Sequence, residues 1–139
     1  MNRCYLGLGS NQKSPQRQLT QAIKAIGALP YTVVTKTSSN YQNPAWGVTT
    51  QQDYCNRVIE IYTRLTPYQL LKHCQAIEQQ QGRVRKKRWG PRTLDIDMLW
   101  YEGRIIKSLV LTLPHPYMMS RDFVLKPLIE INGTDILVF

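Results

Sequence analysis

The chain has 139 residues, of which 42% are hydrophobic, and a formal net charge of +9. That length suits one domain over residues 1–139 with a core of its own, and the apolar content excludes a disordered chain. No apolar run approaches a membrane span and "MNRCYLGLG" lacks the basic-then-apolar layout of a signal peptide, so a cytoplasmic protein with no membrane partner is expected.

Cys4 to Leu8 reads as a short apolar strand running into "GSNQKSP". Ser14 then stands as an N-cap with Pro15 at the first helical position. Leu19, Ala22, Ile23 and Ile26 recur at i, i+3, i+4 and i+7, one apolar stripe, and Gly27 and Pro30 close the helix. Tyr31 to Tyr41, rich in Val, Thr and Tyr, is a strand by propensity. "QNPAWGVTTQQD" is a loop, and Tyr54 to Arg64 resumes β character.

Thr66-Pro67 repeats the cap-then-proline signal and opens a second helix with Leu70, Leu71, Cys74 and Ile77 inward and Gly82 at its end. Leu94, Ile96, Met98 and Trp100 alternate with Thr93, Asp95, Asp97 and Leu99, a half-buried strand. "YEGR" makes a hairpin turn to Arg104–Lys107, and one or two short helical turns follow around Ser120 to Leu128. The order predicts an α+β, ferredoxin-like βαββαβ sandwich with a mostly antiparallel sheet and helices packed on it.

Cys4, Cys55 and Cys74 are odd in number, without CxxC spacing, and read as buried reduced thiols rather than zinc ligands or disulfides. The charge is local: Arg83, Arg85, Lys86, Lys87, Arg88 and Arg92 carry six positive charges with no acid among them, leaving +3 for the rest. A run of this kind is commonly a solvated surface. Here Trp89 stands in its middle and Gly90-Pro91 precedes Arg92 like a hinge, a make-up suited to clamping phosphates with guanidinium forks.

Asp95 and Asp97 follow directly. Alternation sets both on one face of their strand, opposite Leu94, Ile96 and Met98, with Cα atoms about 7 Å apart. An isolated Asp-x-Asp is more often the wet side of an amphipathic strand. Beside a cationic loop the pair makes sense when an anion–metal complex sits between them, since Mg²⁺ takes one or two carboxylates plus substrate phosphates. "GLGSN" follows a strand and precedes a helix, but Gln12 stands where a third glycine would be and no Gly-Lys-Ser/Thr follows. Both dinucleotide and P-loop fingerprints therefore fail, and Gly9 reads as a turn residue. His73 reads as surface; His115, flanked by prolines, could donate a hydrogen bond or proton near a phosphate. Nothing supports covalent catalysis.

"YLGLGSN", "GRVRKKRWGPRTLDIDML" and "LPHP" followed by "RDFVLKPL" together resemble the 6-hydroxymethyl-7,8-dihydropterin pyrophosphokinases of folate biosynthesis, over almost the whole chain. The resemblance implies a ferredoxin-like fold and transfer of the terminal diphosphate of MgATP to the pterin hydroxymethyl group, releasing AMP. It implies that Asp95 and Asp97 bind two Mg²⁺ ions, with in-line displacement at the β-phosphorus. Arg83, Arg85 and Arg92 would clamp phosphates, His115 and Arg121 would complete the ATP site, and Trp89 would swing in with the loop. Gln75 and Glu78 match positions near the nucleotide, and Met98, Leu111 and Thr112 match an adenine-binding wall. Tyr54 and Phe123 match aromatics that hold the pterin, Asn56 the amide that reads its edge, and Asn43, Pro44 and Trp46 the loop that adds pterin contacts.

The sequence departs from the family pattern in places. Pro116 stands where a tyrosine is common, Asn43 where a threonine is usual, and Trp46 replaces an aliphatic residue. The basic loop is one residue shorter than in the best-known members, and the chain stops at "DILVF", short of a C-terminal segment many carry. A monomer is expected, with ATP and the pterin as partners. A small RNA-binding domain is the competing reading, but it predicts cations spread along a track rather than one loop ending beside two acids, which would repel a phosphate backbone. A catalytically dead relative is disfavoured because Arg92, Asp95, Asp97 and His115 are all present.

Overall fold

The computed structural model describes residues 1–12, 14–43, 54–82 and 94–133. In chain order these form β1 (Asn2–Ser10), α1 (Pro15–Gly27), β2 (Thr32–Thr37), β3 (Tyr41–Asn43), β4 (Tyr54–Thr63), α2 (Pro67–Gln80), β5 (Asp95–Tyr101), β6 (Ile106–Lys107), β7 (Thr112–Leu113) and α3 (Asp122–Asn132). The main sheet runs β2-β4-β1-β5, with β3 also on β4, and all described pairings are antiparallel. With β1, β2, β4 and β5 as the four framework strands, this is the expected ferredoxin-like βαββαβ arrangement.

One face of the sheet is closed by α1 and α2. Leu19, Ala22 and Ile26 of α1 and Leu70, Cys74 and Ile77 of α2 bury against Cys4, Leu6 and Leu8 of β1, Ile59 and Ile61 of β4, and Ile96 and Met98 of β5. Ile23 and Leu71, expected inward, are partly buried at the margin. Thr66 and Gln69 form a reciprocal capping box that satisfies two orphan amides of α2, at 3.2 and 2.9 Å. Ser14 holds the N-cap position of α1 but in a left-handed backbone (φ 58°), and its side chain makes no cap bond. The opening of α1 rests instead on Pro15, whose fixed φ suits the first turn. All three cysteines are free and buried. Burial raises Cys4 and pushes Cys74 up to about 12, so these thiols stay protonated, as the sequence implied.

The other face is half covered. Val124, Pro127 and Leu128 of α3, with Ile131 packed beside them, form an i, i+3, i+4, i+7 stripe, which seats against Tyr5, Val58, Leu99, Trp100 and Met118. That seat makes α3 an 11-residue helix rather than the one or two short turns expected. Trp100 does not share a face with Leu94, Ile96 and Met98. Leu6 pairs with Met98 and Tyr5 with Trp100, so Leu99 is an extra residue in the ladder. This bulge turns both Leu99 and Trp100 to the α3 side, where the Trp100 ring lies 5.6 Å from Tyr5.

Two further expectations change. The single strand over Tyr31 to Tyr41 is broken around Ser38, whose hydroxyl accepts from the Val58 amide (3.0 Å) and replaces a ladder bond. The Gly103 turn forms, but Ile106–Lys107 pairs with Thr112–Leu113 instead of β5. The outer edge of β5 is already occupied: Glu78 accepts from the Ile96 amide (2.8 Å) and the His115 amide donates to Leu99 O (2.8 Å).

Leu128 is fully buried beneath α3. Leu128→Ala is expected to cost about 2–5 kcal/mol, read as a lower urea midpoint at unchanged slope.

Candidate active site

Strand alternation builds the site. On the α3 side of β1 the successive residues are Tyr5, Gly7 and Gly9, where β1 pairs with β4 at Glu60, Val58 and Asn56. On the other flank Gly7 opposes Asp97 and Gly9 opposes Asp95. Tyr5 fills its position; its hydroxyl donates to the buried Glu60 carboxylate at 2.7 Å, and burial together with that carboxylate raises its pKa. Gly7 and Gly9 leave theirs empty, and a cavity of about 260 Å³ opens over them. Asp95 and Asp97 wall one side, Tyr54 and Asn56 the other, with Asn43 from β3 and Arg121 and Phe123 from the start of α3 at the mouth.

Gly9 is required by a close approach. A Cβ there would stand 3.1 Å from Asn56 Oδ1. Asn56 is itself buried, and its Nδ2 donates to Tyr41 O (3.3 Å) and to Asn43 Oδ1. Gly9 belongs to the strand, not to a turn beyond it: β1 runs through Ser10 because β4 pairs with it to Cys55. Two glycines at strand spacing were the sequence signal for a side-chain-free strip, and it went unread. Arg57, Val58, Leu99 and Val124 also line the cavity without having been singled out; none carries a motif.

Tyr41 is anchored from α3. Glu130 accepts from the Ser39 amide (2.9 Å), the Ser39 hydroxyl (2.7 Å) and the Tyr41 hydroxyl (2.7 Å). These bonds, Ser39's hydroxyl first, hold the Glu130 carboxyl below its usual range, while Tyr41 is raised by the same contact.

His115 lies near Asp97 and Arg121. Burial lowers its pKa most; the Asp97 charge opposes that and Arg121 adds to it. Its Nδ1 accepts from the Tyr117 amide (3.2 Å), which leaves the neutral ring's proton on Nε2. The Arg121 guanidinium sits 4.5 Å over the Tyr117 ring and 5.7 Å from that of Phe123. The structure therefore gathers His115 and Arg121 around the Asp97 side of the cavity.

Other anticipated residues stand apart from the cavity. Met98 and Leu111 are buried in the α1/α2 core, Thr112 is on β7, and Gln75 is exposed on α2. Glu78 is buried, with its carboxylate on the β5 backbone between the two aspartates. Arg83, Arg85, Trp89, Arg92, Pro44 and Trp46 lie outside the described residues.

Comparison with known proteins gives a consistent result. Residues 5–133 match the family model of 7,8-dihydro-6-hydroxymethylpterin-pyrophosphokinase. The chain is 48% identical over 131 residues to a 2-amino-4-hydroxy-6-hydroxymethyldihydropteridine pyrophosphokinase of Haemophilus influenzae, covering 94% of this chain and 82% of that protein. It is 42% identical over 130 residues to the enzyme of the same name from Bacillus subtilis, covering 94% and 78%. A crystal structure of an HPPK-DHPS protein in complex with substrates superimposes with a TM-score of 0.63 at 13% identity, over 90% of this chain and 39% of that one, a likeness of fold.

The Glu130 contacts predict a pH effect. A carboxyl with a depressed folded pKa adds stability above its unfolded pKa and loses it as pH falls through the folded value. Glu130→Gln should therefore lower Tm near neutrality and narrow its gap from the native protein as the solution is acidified below the carboxylate range.

Proposed function

The chain belongs to the 7,8-dihydro-6-hydroxymethylpterin-pyrophosphokinase family and is an ATP-dependent diphosphokinase of folate biosynthesis, and from that premise we propose how its residues divide the reaction. The reading rests above all on one observation: Asp95 and Asp97 share a cavity with Tyr54, Asn56 and Phe123, across a floor of two glycines. The cavity suits one bicyclic heterocycle. 6-Hydroxymethyl-7,8-dihydropterin would lie on Gly7 and Gly9, between Tyr54 and Phe123, with Asn56 reading its polar edge and its hydroxymethyl group toward the aspartates. Asn43, Pro44 and Trp46 would add contacts at the mouth.

ATP would lie along the outer edge of β5. Met98, Leu111 and Thr112 would flank its adenine, with Gln75 and Glu78 near the ribose side. Arg121 and His115, the latter through its Nε2 proton, would bind phosphate oxygens. Arg83, Arg85 and Arg92 would clamp the triphosphate and Trp89 would exclude water.

The aspartates fit Mg²⁺. Asp95 and Asp97 line one cavity, and a pair of carboxylates that leaves other positions to phosphate and water is what Mg²⁺ prefers. When bound, two Mg²⁺ ions would neutralise the triphosphate and polarise the β-phosphorus. Asp97 would also accept a hydrogen bond from the pterin hydroxyl and orient it. That oxygen would attack the β-phosphorus as its proton passes to solvent water, the bond to the α–β bridging oxygen would break with its electron pair staying on AMP, and AMP would leave. With both reactants held, positioning and charge neutralisation supply most of the acceleration. One domain over residues 1–139, acting as a monomer, suffices for this scheme. Among the described residues no helix is long and apolar enough to cross a membrane.

Protein incubated with MgATP and 6-hydroxymethyl-7,8-dihydropterin should yield AMP and the pterin diphosphate by ³¹P NMR; folded protein without turnover would refute the reading. EDTA should stop the reaction. Asp97→Ala should slow it on the order of 10²–10³-fold or more, with Tm little changed because Asp97 is exposed on its strand. Near-native turnover by this variant would remove the metal assignment. Gly9→Ala, by displacing Asn56, should weaken pterin binding about tenfold and leave ATP binding intact.

A further inference from the structure

Three large aliphatic side chains stand in solvent on one hairpin. Ile105 is 80% exposed, Leu109 106% and Val110 68%, whereas Ile106, Leu111 and Leu113 of the same hairpin are buried in the α1/α2 core. The inner row anchors β6 and β7, and the outer row adds nothing to that anchor. Turns ordinarily take Gly, Asn, Asp or Ser, yet Leu109 and Val110 occupy the reversal between the two strands. The reversal is also fixed. The Ser108 amide donates to Leu111 O (3.0 Å). The Ser108 hydroxyl donates to the same carbonyl (3.0 Å) and accepts from the Leu111 amide (3.2 Å) and from the Tyr68 hydroxyl of α2 (3.2 Å). All three hydrogen bonds open to a hydroxyl hold the tip in shape, so little ordering remains to be done on contact.

The charges around the tip choose its occupant. Arg104 and Lys107 are exposed on the hairpin, and Lys72 is exposed one turn along α2 from Tyr68. Glu102, which accepts from the Arg3 amide (2.9 Å), is the single acid between Tyr101 and Leu113. A second copy of this chain would bring like charges together. Three side chains also bury far less than the roughly 800 Å² per partner of a stable interface. A protein partner would need a groove moulded to a tip on which Leu109 stands clear of its neighbours, whereas a fluid bilayer needs none. We propose that the β6–β7 hairpin is a reversible docking tip for anionic lipid bilayers: Ile105, Leu109 and Val110 enter the boundary between headgroups and acyl chains, while Arg104, Lys107 and Lys72 lie on the lipid phosphates. Such docking requires no spanning helix, and it does not rest on the reaction proposed above.

The test sediments the protein with vesicles of phosphatidylcholine alone and of phosphatidylcholine mixed with phosphatidylglycerol. Partition onto the mixed vesicles should be at least about tenfold higher and should fall as salt is raised. The basic run from Arg83 to Arg92 can itself attract anionic lipid, so the decisive variant keeps every charge. Leu109→Ser combined with Val110→Ser should leave Tm at the native value, because both side chains are exposed, and lower partition about tenfold or more. In a separate variant, Leu109→Trp, the added fluorescence should shift to the blue on mixed vesicles and be quenched by lipids brominated along the acyl chain. Equal partition of the native protein and the double Ser variant would overturn the proposal in favour of plain electrostatic adsorption. A Trp at 109 that brominated lipid leaves unquenched would overturn insertion. Binding to neither vesicle would overturn the lipid assignment and leave the tip to a protein partner. A native dimer in sedimentation equilibrium that the double Ser variant lacks would assign the tip to a second copy instead.

Discussion

A strip of the central strand without side chains is the constraint on which the site depends. β1 is hydrogen-bonded on both edges and covered on one face by two helices, so its remaining face is where space can be made. At Tyr5 that face is filled by an aromatic ring packed on Trp100 and tied to Glu60. Two and four residues on it is bare, and the side chains of Leu99 and Asn56 come close over Gly7 and Gly9. The carboxylates of β5 and the amide of β4 can then address a single ligand because nothing rises between them. Side chains of Tyr5's size at 7 and 9 would carry the α3-side core to the end of the sheet.

An open floor is useful only if its walls are fixed. β5 is the edge strand, and such strands present unpaired amides and carbonyls. Here the edge is covered from α2 and from the segment before α3. Glu78 takes the amide of Ile96, between the two aspartates, and the His115 amide takes the carbonyl of Leu99, two residues beyond Asp97. The backbone carrying the paired carboxylates is thus pinned from both sides, by β1 and by these groups. Charge preorganised in this way costs no rearrangement when a ligand arrives.

Much of this was legible in the sequence where the signal was periodic or chemical. The Leu19–Ile26 stripe, the Thr66-Pro67 cap and the Asp95/Asp97 alternation specify α1, α2 and the acidic face of β5, and all stand in the structure. Failures fell where tertiary contacts override local pattern. The bulge at Leu99 moved Trp100 to the opposite face, and no feature of "DMLWY" announces it. Ser120 to Leu128 read as one or two short turns, yet the buried stripe through Val124, Pro127 and Leu128 extends α3 to 11 residues. β6 left β5 for β7 because Glu78 and His115, distant in sequence, had taken the edge. The glycine strip was readable in principle, since two glycines at spacing two in an apolar strand clear one face. A turn-first reading of "GLGSN" hid it.

The least legible part is the way α3 serves the cavity twice. Its buried stripe seats it on Val58 and Leu99, and its first turn brings Arg121 and Phe123 to the mouth. Two turns further on, Glu130 reaches the segment that leads into β3, binding Ser39 and Tyr41, and Tyr41 in turn orients Asn56. One helix therefore positions Phe123 at the cavity directly and the Asn56 carboxamide through a relay of two bonds. Because both hang on the same buried stripe, a shift of α3 along the sheet would misplace Phe123 and loosen Tyr41 together, while Asp95 and Asp97, held by β1 and α2, would stay where they are. The Asn56 and Phe123 side of the cavity is thus mechanically separate from its acidic side, and α3 and β3 can vary without disturbing Asp95 and Asp97.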